Sequence, residues 1–439
     1  MDAASRGYST LLLEQSDFGK GTSSRSTKLV HGGVRYLQQG NLPLVMEALR
    51  ERQRLLRNAQ HLVRLLPFVV PAYRWWELPY YGIGLKLYSV LALEGSQILS
   101  RRETLARLPG VRPDGLRGGI LYLDGQFDDA RLLIHLALTA IELGAVLLNY
   151  AQVTEASKSG VRFRDVETGE EHEAKARVVV NAAGPFSDAV RRMADSSASP
   201  IVVPSQGIHI VLDRAFLPAE NALMVPRTPD GRVMFAIPWL GHTLIGTTDT
   251  PVRNARLEPL PLDSEIEFLL EVSGHYLAKR PARADIRSVF AGIRPLVGSE
   301  GKSTAAVSRD HTIRVEPSGL LTIVGGKWTT YRRMAEDCVD RAAAIAGLPQ
   351  RPCVTRDLPI HRWTDDQPPV VRAVRDEMAR TVEDVLARRT RALFLDARSA
   401  ILQAPAVAHV LGRELGRDSA WETAQIEAFE ELAQGYLPG

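Results

Sequence analysis

Three short apolar runs in this chain end abruptly in small residues or an acid, and that punctuation limits the folds open to it. Thr10-Leu11-Leu12-Leu13 stops at Glu14. Val178-Val179-Val180 opens into Asn181-Ala182-Ala183-Gly184-Pro185. Leu321-Thr322-Ile323-Val324 passes into Gly325-Gly326-Lys327-Trp328-Thr329-Thr330. Each reads as a buried strand leading into a turn, the repeating unit of an open α/β sheet. Ligands bind such sheets beyond the carboxyl ends of the strands, where small residues let them reach backbone N–H groups. One junction says little, since every αβ turn benefits from glycine. Three, with Glu14 placed where dinucleotide-binding folds hold a ribose hydroxyl, point to a large nucleotide cofactor.

The stretch after the first strand, Ser23-Ser24-Arg25-Ser26-Thr27-Lys28-Leu29-Val30-His31-Gly32-Gly33-Val34-Arg35-Tyr36-Leu37, is dense in donors and backbone freedom. Basic residues recur in similar settings: Arg35 after the double glycine, Arg294 in AGIRPL, Arg309 in VSRDHT and Lys327 in the third junction. Arginine forks match phosphate and carboxylate oxygens. Any one of 54 lysines and arginines is by default a solvated surface charge. Arg35, Arg294 and Lys327 sit beside glycine or proline in loops between apolar segments, an unusual place for a merely solubilising charge. His209 lies mid-strand in GIHIVL and shares a face with Gly207 and Val211. A strand histidine is more often structural than a base, and His31 reads equally as a loop residue or a cofactor contact.

The rest of the 439 residues divides by pattern. Helical periodicity marks 41–66 and 130–147, alternating strands fill 201–250, and αβ character returns at 320. Beyond Pro359, Val371, Val374, Met378, Val382, Val385 and Leu386 recur at helical spacing, so one face is expected to pack inward. Net charge is +3 with no dense basic tract, which argues against nucleic acid. Two cysteines, Cys338 and Cys353, give neither a disulfide framework nor metal-ligand spacing and fit a reducing interior. No apolar signal-peptide core and no run of about 18 apolar residues is present. Tyr73, Trp75, Trp76, Tyr80, Tyr81 and Tyr88 cluster in one segment. Such rings can lie at a membrane interface, but lining a core or a domain contact is the expectation here.

Together TSSRSTKLVHGGVRYLQ, PSQGIHIV, FAIPW…IGTTD, GIRPL, SRDHTI and GGKWTTYRRMAED resemble the FAD-dependent glycerol-3-phosphate dehydrogenases, within the D-amino-acid-oxidase-like flavoproteins. The likeness runs in order from Asp2 to about His361 and again over 375–398. It implies an α/β plus α+β fold: a Rossmann-like FAD-binding domain interleaved with an antiparallel-sheet substrate domain, then a helical C-terminal domain. The oxidoreductase region would be 1–355, with FAD-binding segments about 1–60, 125–200 and 290–350. Substrate-domain segments would be about 61–124 and 201–289, and the helical domain 356–439. Family members begin with a strand and a Gly-x-Gly-x-x-Gly turn that the sequence from Met1 does not include. The FAD site is therefore expected to be formed on its flavin side and open on its adenine-pyrophosphate side. The C-terminal domain is expected to be short between Thr364 and Val374. Gln206, where many relatives carry lysine, is taken as variation within the family.

By the same resemblance, Glu14, Ser23, Ser24, Lys28, His31, Gly32, Gly33, Asn181, Ala182, Gly184, Gly325, Gly326, Lys327 and Thr329 would contact FAD. Arg35, Tyr36, Arg294, Arg309 and Lys327 would surround sn-glycerol 3-phosphate, with His209 near the reacting hydroxyl. The implied reaction gives dihydroxyacetone phosphate and passes electrons to a quinone. Dioxygen as acceptor, or a cofactor-free remnant that only binds, are the alternatives. The implied setting is cytoplasmic, peripheral on the inner face of the cell membrane, with a homodimer as the assembly. A neutral imidazole, ordinarily titrating near about 6.5, can accept the hydroxyl proton, and cationic neighbours would keep it neutral.

Overall fold

Alternating residues from 202 onward fold into antiparallel strands that join earlier ones in a single large sheet. The computed structural model describes residues 1–33, 42–92, 94–298, 310–363 and 367–439. Its strands are β2 (Leu29–Val30), β3 (Val63–Ala72), β4 (Gln97–Ser100), β5 (Gly118–Phe127), β11 (Val202–Asp213), β12 (Ala222–Val225), β13 (Met234–Trp239), β14 (His242–Gly246), β15 (Thr250–Pro251) and β16 (Ile286–Val297). They run in the order β15-β11-β14-β13-β12-β3-β5-β2, with β16 against β11 and β4 against β5. The expected boundary at 289/290 falls inside β16, which pairs continuously with β11 from Val202↔Val297 to Val211↔Ser288.

Both faces of this sheet are buried, for reasons visible in the alternation of β11. Ile208, Ile210 and Leu212 point to one side and pack with Leu108, Ile266, Leu269 and Val272. Val211 points to the other, where Trp239, Leu244 and Phe290 meet the C-terminal helices through Val382, Leu386, Phe394 and Leu411. His209 lies on this second face, beneath the helical domain.

The α/β part is made of small sheets. β1 (Leu11–Leu13) pairs in parallel with β6 (Val146–Leu148), and Leu11 and Leu12 stay well exposed. β10 (Val180–Asn181) pairs in parallel with β18 (Leu321–Gly325), which pairs antiparallel with β17 (His311–Val315). The meander β7 (Ala151–Ser157), β8 (Gly160–Asp165), β9 (Glu171–Lys175) stands beside them.

The expected helix over 371–386 is interrupted. A helix spans Pro369–Arg375, Met378 adopts φ +59°, and Asp384–Arg389 then winds as a π-helix. The wide turn puts Arg388 and Arg389 together on Asp17, which is fully buried. Arg388 Nε donates to Asp17 Oδ2, and Arg389 donates from Nη1 at 2.6 Å and Nη2 at 2.8 Å. Arg388 also holds Asp384 at 2.8 Å, and Asp384 accepts from Tyr150 Oη at 2.8 Å. These bonds pin the helical domain to the loop after β1. Longer helices, Ala397–Leu415 and Ser419–Gln434, complete it.

A second buried cluster gives the fold a pH dependence. His135 Nε2 accepts from Arg131 Nη2 at 3.0 Å, so its Nδ1 carries the hydrogen and meets the His361 carbonyl at 2.7 Å. Burial and the Arg131 charge lower its pKa to about 3. The unfolded chain takes this proton near about pH 6.5, so stability is lost as pH falls from there toward 3. We expect a slope of about 1.4 kcal/mol per pH unit from this group. Urea unfolding of His135→Gln, measured from pH 7 to 4.5, should show a correspondingly flatter pH dependence than the parent protein.

Candidate active site

Three loops meet at the carboxyl ends of β10 and β18. These strands are parallel neighbours, with Asn181 level with Thr322, so the turns that follow leave the sheet side by side. Asn181 is buried and folds its own turn: Nδ2 donates to the Ser187 carbonyl at 2.9 Å, and Oδ1 accepts from Ala183 N–H at 3.2 Å. Ala182 stays exposed at the lip of this turn. Gly325 and Gly326 both take left-handed backbone, φ +83° and +80°, to turn the chain into the helix Tyr331–Ile345. The third loop, 21–33, is tied to this junction. Trp328 Nε1 donates to the Ser23 carbonyl at 2.9 Å, and Thr329 Oγ1 donates to the His31 carbonyl at 3.3 Å.

The same loop reaches the large sheet. Thr27 Oγ1 lies 2.8 Å from His209 Nε2, and Thr22 Oγ1 donates to the Ile293 carbonyl at 2.6 Å. Loop 21–33 therefore spans from the glycine junction to the sheet face that carries His209.

His209 is 2 % exposed and stacks on Phe290, with centroids 5.1 Å apart and planes at 19°. Register places it opposite both Gly246 on β14 and Phe290 on β16. A Cβ at Gly246 would overlap the imidazole, so the ring lies directly over that backbone. Its Nδ1 is buried with no hydrogen-bond partner among the described residues. Burial, then the charges of Lys28 and Arg294, hold its pKa well below the ordinary histidine value. His209 is neutral at physiological pH, with one ring nitrogen able to take a proton.

Arg294 sits beside it. Its guanidinium covers Gly207, where a Cβ would overlap it, on the face shared by Ser205, Gly207 and His209. Its Nη2 donates to Thr247 Oγ1 and to the Thr248 carbonyl, both at 3.0 Å, and its Nη1 donates to the Gln206 carbonyl at 3.3 Å. Asp249 lies 3.5 Å away and also accepts from the Ser205 hydroxyl. Gln206 points its amide to the opposite side and donates to Glu265 Oε2 at 2.8 Å.

Lys28, implied as a cofactor contact, has another position. It is fully buried, and its Nζ donates to Asp129 at 2.7 and 2.9 Å and to the Ser24 carbonyl at 2.6 Å. Around the ammonium stand Trp239, Phe394 and Phe290, with centroids 4.9, 5.2 and 5.3 Å away. His209 stacks on the same Phe290, so Lys28 acts on it as a charge through that ring. Ser24, also fully buried, donates to the Gly19 carbonyl at 2.8 Å, again within the loop.

Gly32 N–H is held by Tyr88 Oη at 2.9 Å and Asp124 Oδ1 at 3.3 Å, and Arg52 donates to Asp124 at 2.7 Å. Gly33 follows with φ +81°. Glu14 accepts from Ser16 N–H at 3.2 Å, and burial pushes its carboxyl up to about 7. Lys327 is half-buried at the turn into the helix, its carbonyl accepting from Thr330 N–H at 3.1 Å. Arg35, Tyr36 and Arg309 lie outside the described residues. Thr27, Phe290, Thr247 and Asp249 belong to the site but were not singled out in the sequence. The register of β11 against β14 and β16 brings Phe290, Thr247 and Asp249 to His209 and Arg294, and loop 21–33 brings Thr27.

Residues 1–332 match the family described as FAD dependent oxidoreductase. The chain belongs to that family. Residues 357–422 of this flavoprotein match the C-terminal domain of alpha-glycerophosphate oxidase. It is 38% identical to the mitochondrial glycerol-3-phosphate dehydrogenase of Mesocricetus auratus, over 97% of this chain and 70% of that protein. Against the Arabidopsis thaliana mitochondrial glycerol-3-phosphate dehydrogenase it is 45% identical, over 82% of this chain and 61% of that one. The glycerol-3-phosphate dehydrogenase of Bacillus halodurans, solved with FAD, superposes with TM-score 0.81 at 27% identity, covering 99% and 92% of the two chains. The L-alpha-glycerophosphate oxidase of Mycoplasma pneumoniae shares the fold, with TM-score 0.60 at 18% identity over 82% of this chain and 96% of that one.

The residues present fit the family's cofactor. At Gly21 and Gly184, on two of the converging loops, a Cβ would meet nothing within 4 Å. Gly21, Thr22, Pro185 and Phe186 line one narrow crevice between these loops.

Proposed function

We propose that this flavoprotein oxidises sn-glycerol 3-phosphate to dihydroxyacetone phosphate and passes the electrons to a quinone. The observation that carries the reading is the pairing of a neutral, buried His209 with the Arg294 guanidinium on one sheet face, bridged by loop 21–33 to the glycine junctions. FAD, when bound, supplies the acceptor for the hydride leaving the substrate carbon. His209 donates Nε2–H to Thr27 Oγ1 and takes the hydroxyl proton at Nδ1. Arg294 and Lys327 provide fixed positive charge for the phosphate, so binding remote from the reacting carbon orients it. Arg35, Tyr36 and Arg309 complete this pocket in our reading.

Arg294→Ala should cost at least about 2 kcal/mol in transition-state binding, about a thirtyfold loss in kcat/KM. Steady-state assay with an artificial electron acceptor checks it. Within this reading we take a quinone rather than dioxygen as the acceptor; the relatives at 38% and 45% identity are named dehydrogenases, while residues 357–422 match a domain named for an oxidase. Turnover with a soluble quinone analogue should exceed peroxide formation in air. Stoichiometric peroxide with no quinone reduction would move the reading to an oxidase.

A further inference from the structure

Lys28 takes φ +62°, a left-handed backbone that residues carrying a Cβ rarely adopt, so its surroundings must hold it there. Asp129 does so. It is fully buried and is the first residue of the helix Asp129–Glu142. Its Oδ2 accepts from Ser26 N–H at 3.1 Å and from Ser26 Oγ at 2.7 Å. Lys28 Nζ donates to both carboxylate oxygens, at 2.7 and 2.9 Å, and Lys28 N–H donates to Ser26 Oγ at 3.0 Å. From the end of β5, just before the helix, Phe127 N–H donates to the Lys28 carbonyl at 3.0 Å. The residues on either side of Thr27 are thus tied to one carboxylate by charge-assisted bonds. Such a buried pair adds little stability over apolar residues of the same volume. Its effect here is to give the loop one geometry.

That geometry matters because Thr27 is the residue that meets the imidazole, Oγ1 lying 2.8 Å from His209 Nε2. The other close neighbours leave the ring's hydrogen unassigned. Phe290 meets it face to face, and Gly246 presents only backbone. Nδ1 has no hydrogen-bond partner among the described residues. Which nitrogen of a neutral histidine carries the hydrogen is set by the bond the ring makes. Here, among the described residues, that bond is the one to the Thr27 hydroxyl. The Lys28 ammonium stands 5.3 Å from the centroid of Phe290, on which the imidazole stacks, so the same carboxylate also fixes a charge beside the base.

We infer that Asp129 is a positioning residue: by bonding Ser26 and Lys28 it holds the Thr27 hydroxyl on His209 Nε2 and leaves Nδ1 free of hydrogen to take the substrate's proton. This rests on the reading of His209 as the base. Asp129→Asn keeps the side chain's shape but sets a donor against the Lys28 ammonium. The flavin-loaded variant should reduce its flavin with sn-glycerol 3-phosphate about tenfold more slowly in single turnover. The substrate concentration giving half the maximal rate should change less than about twofold, since Arg294 is untouched. Because the carboxylate acts through the hydroxyl, Thr27→Val/Asp129→Asn should be no slower than Thr27→Val alone. Nitrogen NMR of the histidine-labelled holoprotein reads the ring directly, the His209 signals being those lost in His209→Gln. The parent should show the Nε2–H form alone, and Asp129→Asn a mixture of tautomers. Should Asp129→Asn lose flavin or unfold, Ser26→Ala carries the test, with a smaller slowing that vanishes in the Thr27→Val background. Parent-rate reduction by the folded, flavin-loaded variant, additive slowing in the double variant, or an unchanged tautomer would overturn the inference. Parent-rate reduction by His209→Gln is a different failure: it removes the base itself, and the inference with it.

Discussion

His209→Gln is expected to lower kcat by about 10²- to 10⁴-fold, the usual contribution of a positioned general base, with flavin content unchanged. Glutamine keeps the approximate length and a group able to meet Thr27 Oγ1, but it cannot accept a proton at neutral pH. The size of the effect rests on the state of the imidazole. Burial with Lys28 and Arg294 nearby keeps the ring neutral, so essentially every molecule at pH 7 holds a competent base. Because that pKa is depressed, loss of activity by protonating His209 belongs well below pH 6.5. Thr27→Val should act more mildly, because it loosens the ring without removing the base. Single-turnover flavin reduction in the variants measures this step free of the acceptor's chemistry. A His209→Gln protein that reduces its flavin at the parent rate would remove His209 from the reaction.

Asp17→Ala is expected to destabilise the protein by about 3–5 kcal/mol, the range for stripping one partner from a buried ion cluster. Arg388 and Arg389 are 1 % and 4 % exposed, and Asp17 accepts hydrogen bonds from both. Removing the carboxylate leaves Arg389 with the Glu377 carbonyl at 2.6 Å and a longer contact, 3.4 Å, to the Glu377 side chain. Burial alone would raise the Asp17 pKa, but Arg389 and Arg388 outweigh it and hold the carboxyl below its ordinary value. Its contribution is therefore complete above the unfolded pKa of about 3.9 and fades only as pH falls through the folded value. Urea midpoints of parent and variant should differ strongly at pH 7 and converge below about pH 4. The helical domain should open first, since Asp17 is where it meets the loop after β1.

The site was legible in the sequence wherever function is written in local chemistry. Alternation alone placed His209 on the face of Gly207, and glycine pairs marked the turn at 325–326. Partners supplied by distant strands were not legible. Phe290 meets His209 because β16 pairs with β11, and Gly246 approaches it because β14 does. Lys28 is implied by the resemblance as a cofactor contact, and only Asp129, about a hundred residues away, and its aromatic neighbours reveal its buried position. Periodicity over 371–386 was real but misleading. Val382, Val385 and Leu386 are fully buried, yet Met378 breaks the helix, because packing against the sheet outweighs local propensity. The aromatic segment went the other way: composition suggested a core, and the turn before Glu77 carries the tryptophans outward.

Anaerobic mixing of the FAD-loaded protein with sn-glycerol 3-phosphate tests the central claim most directly, because it reads the proposed half-reaction before any acceptor is involved. The flavin's visible absorbance should bleach with sn-glycerol 3-phosphate and not with glycerol, and the bleaching should slow markedly in Arg294→Ala. Flavin-loaded, folded protein that keeps its oxidised spectrum with sn-glycerol 3-phosphate, or that bleaches equally with glycerol, would contradict the account.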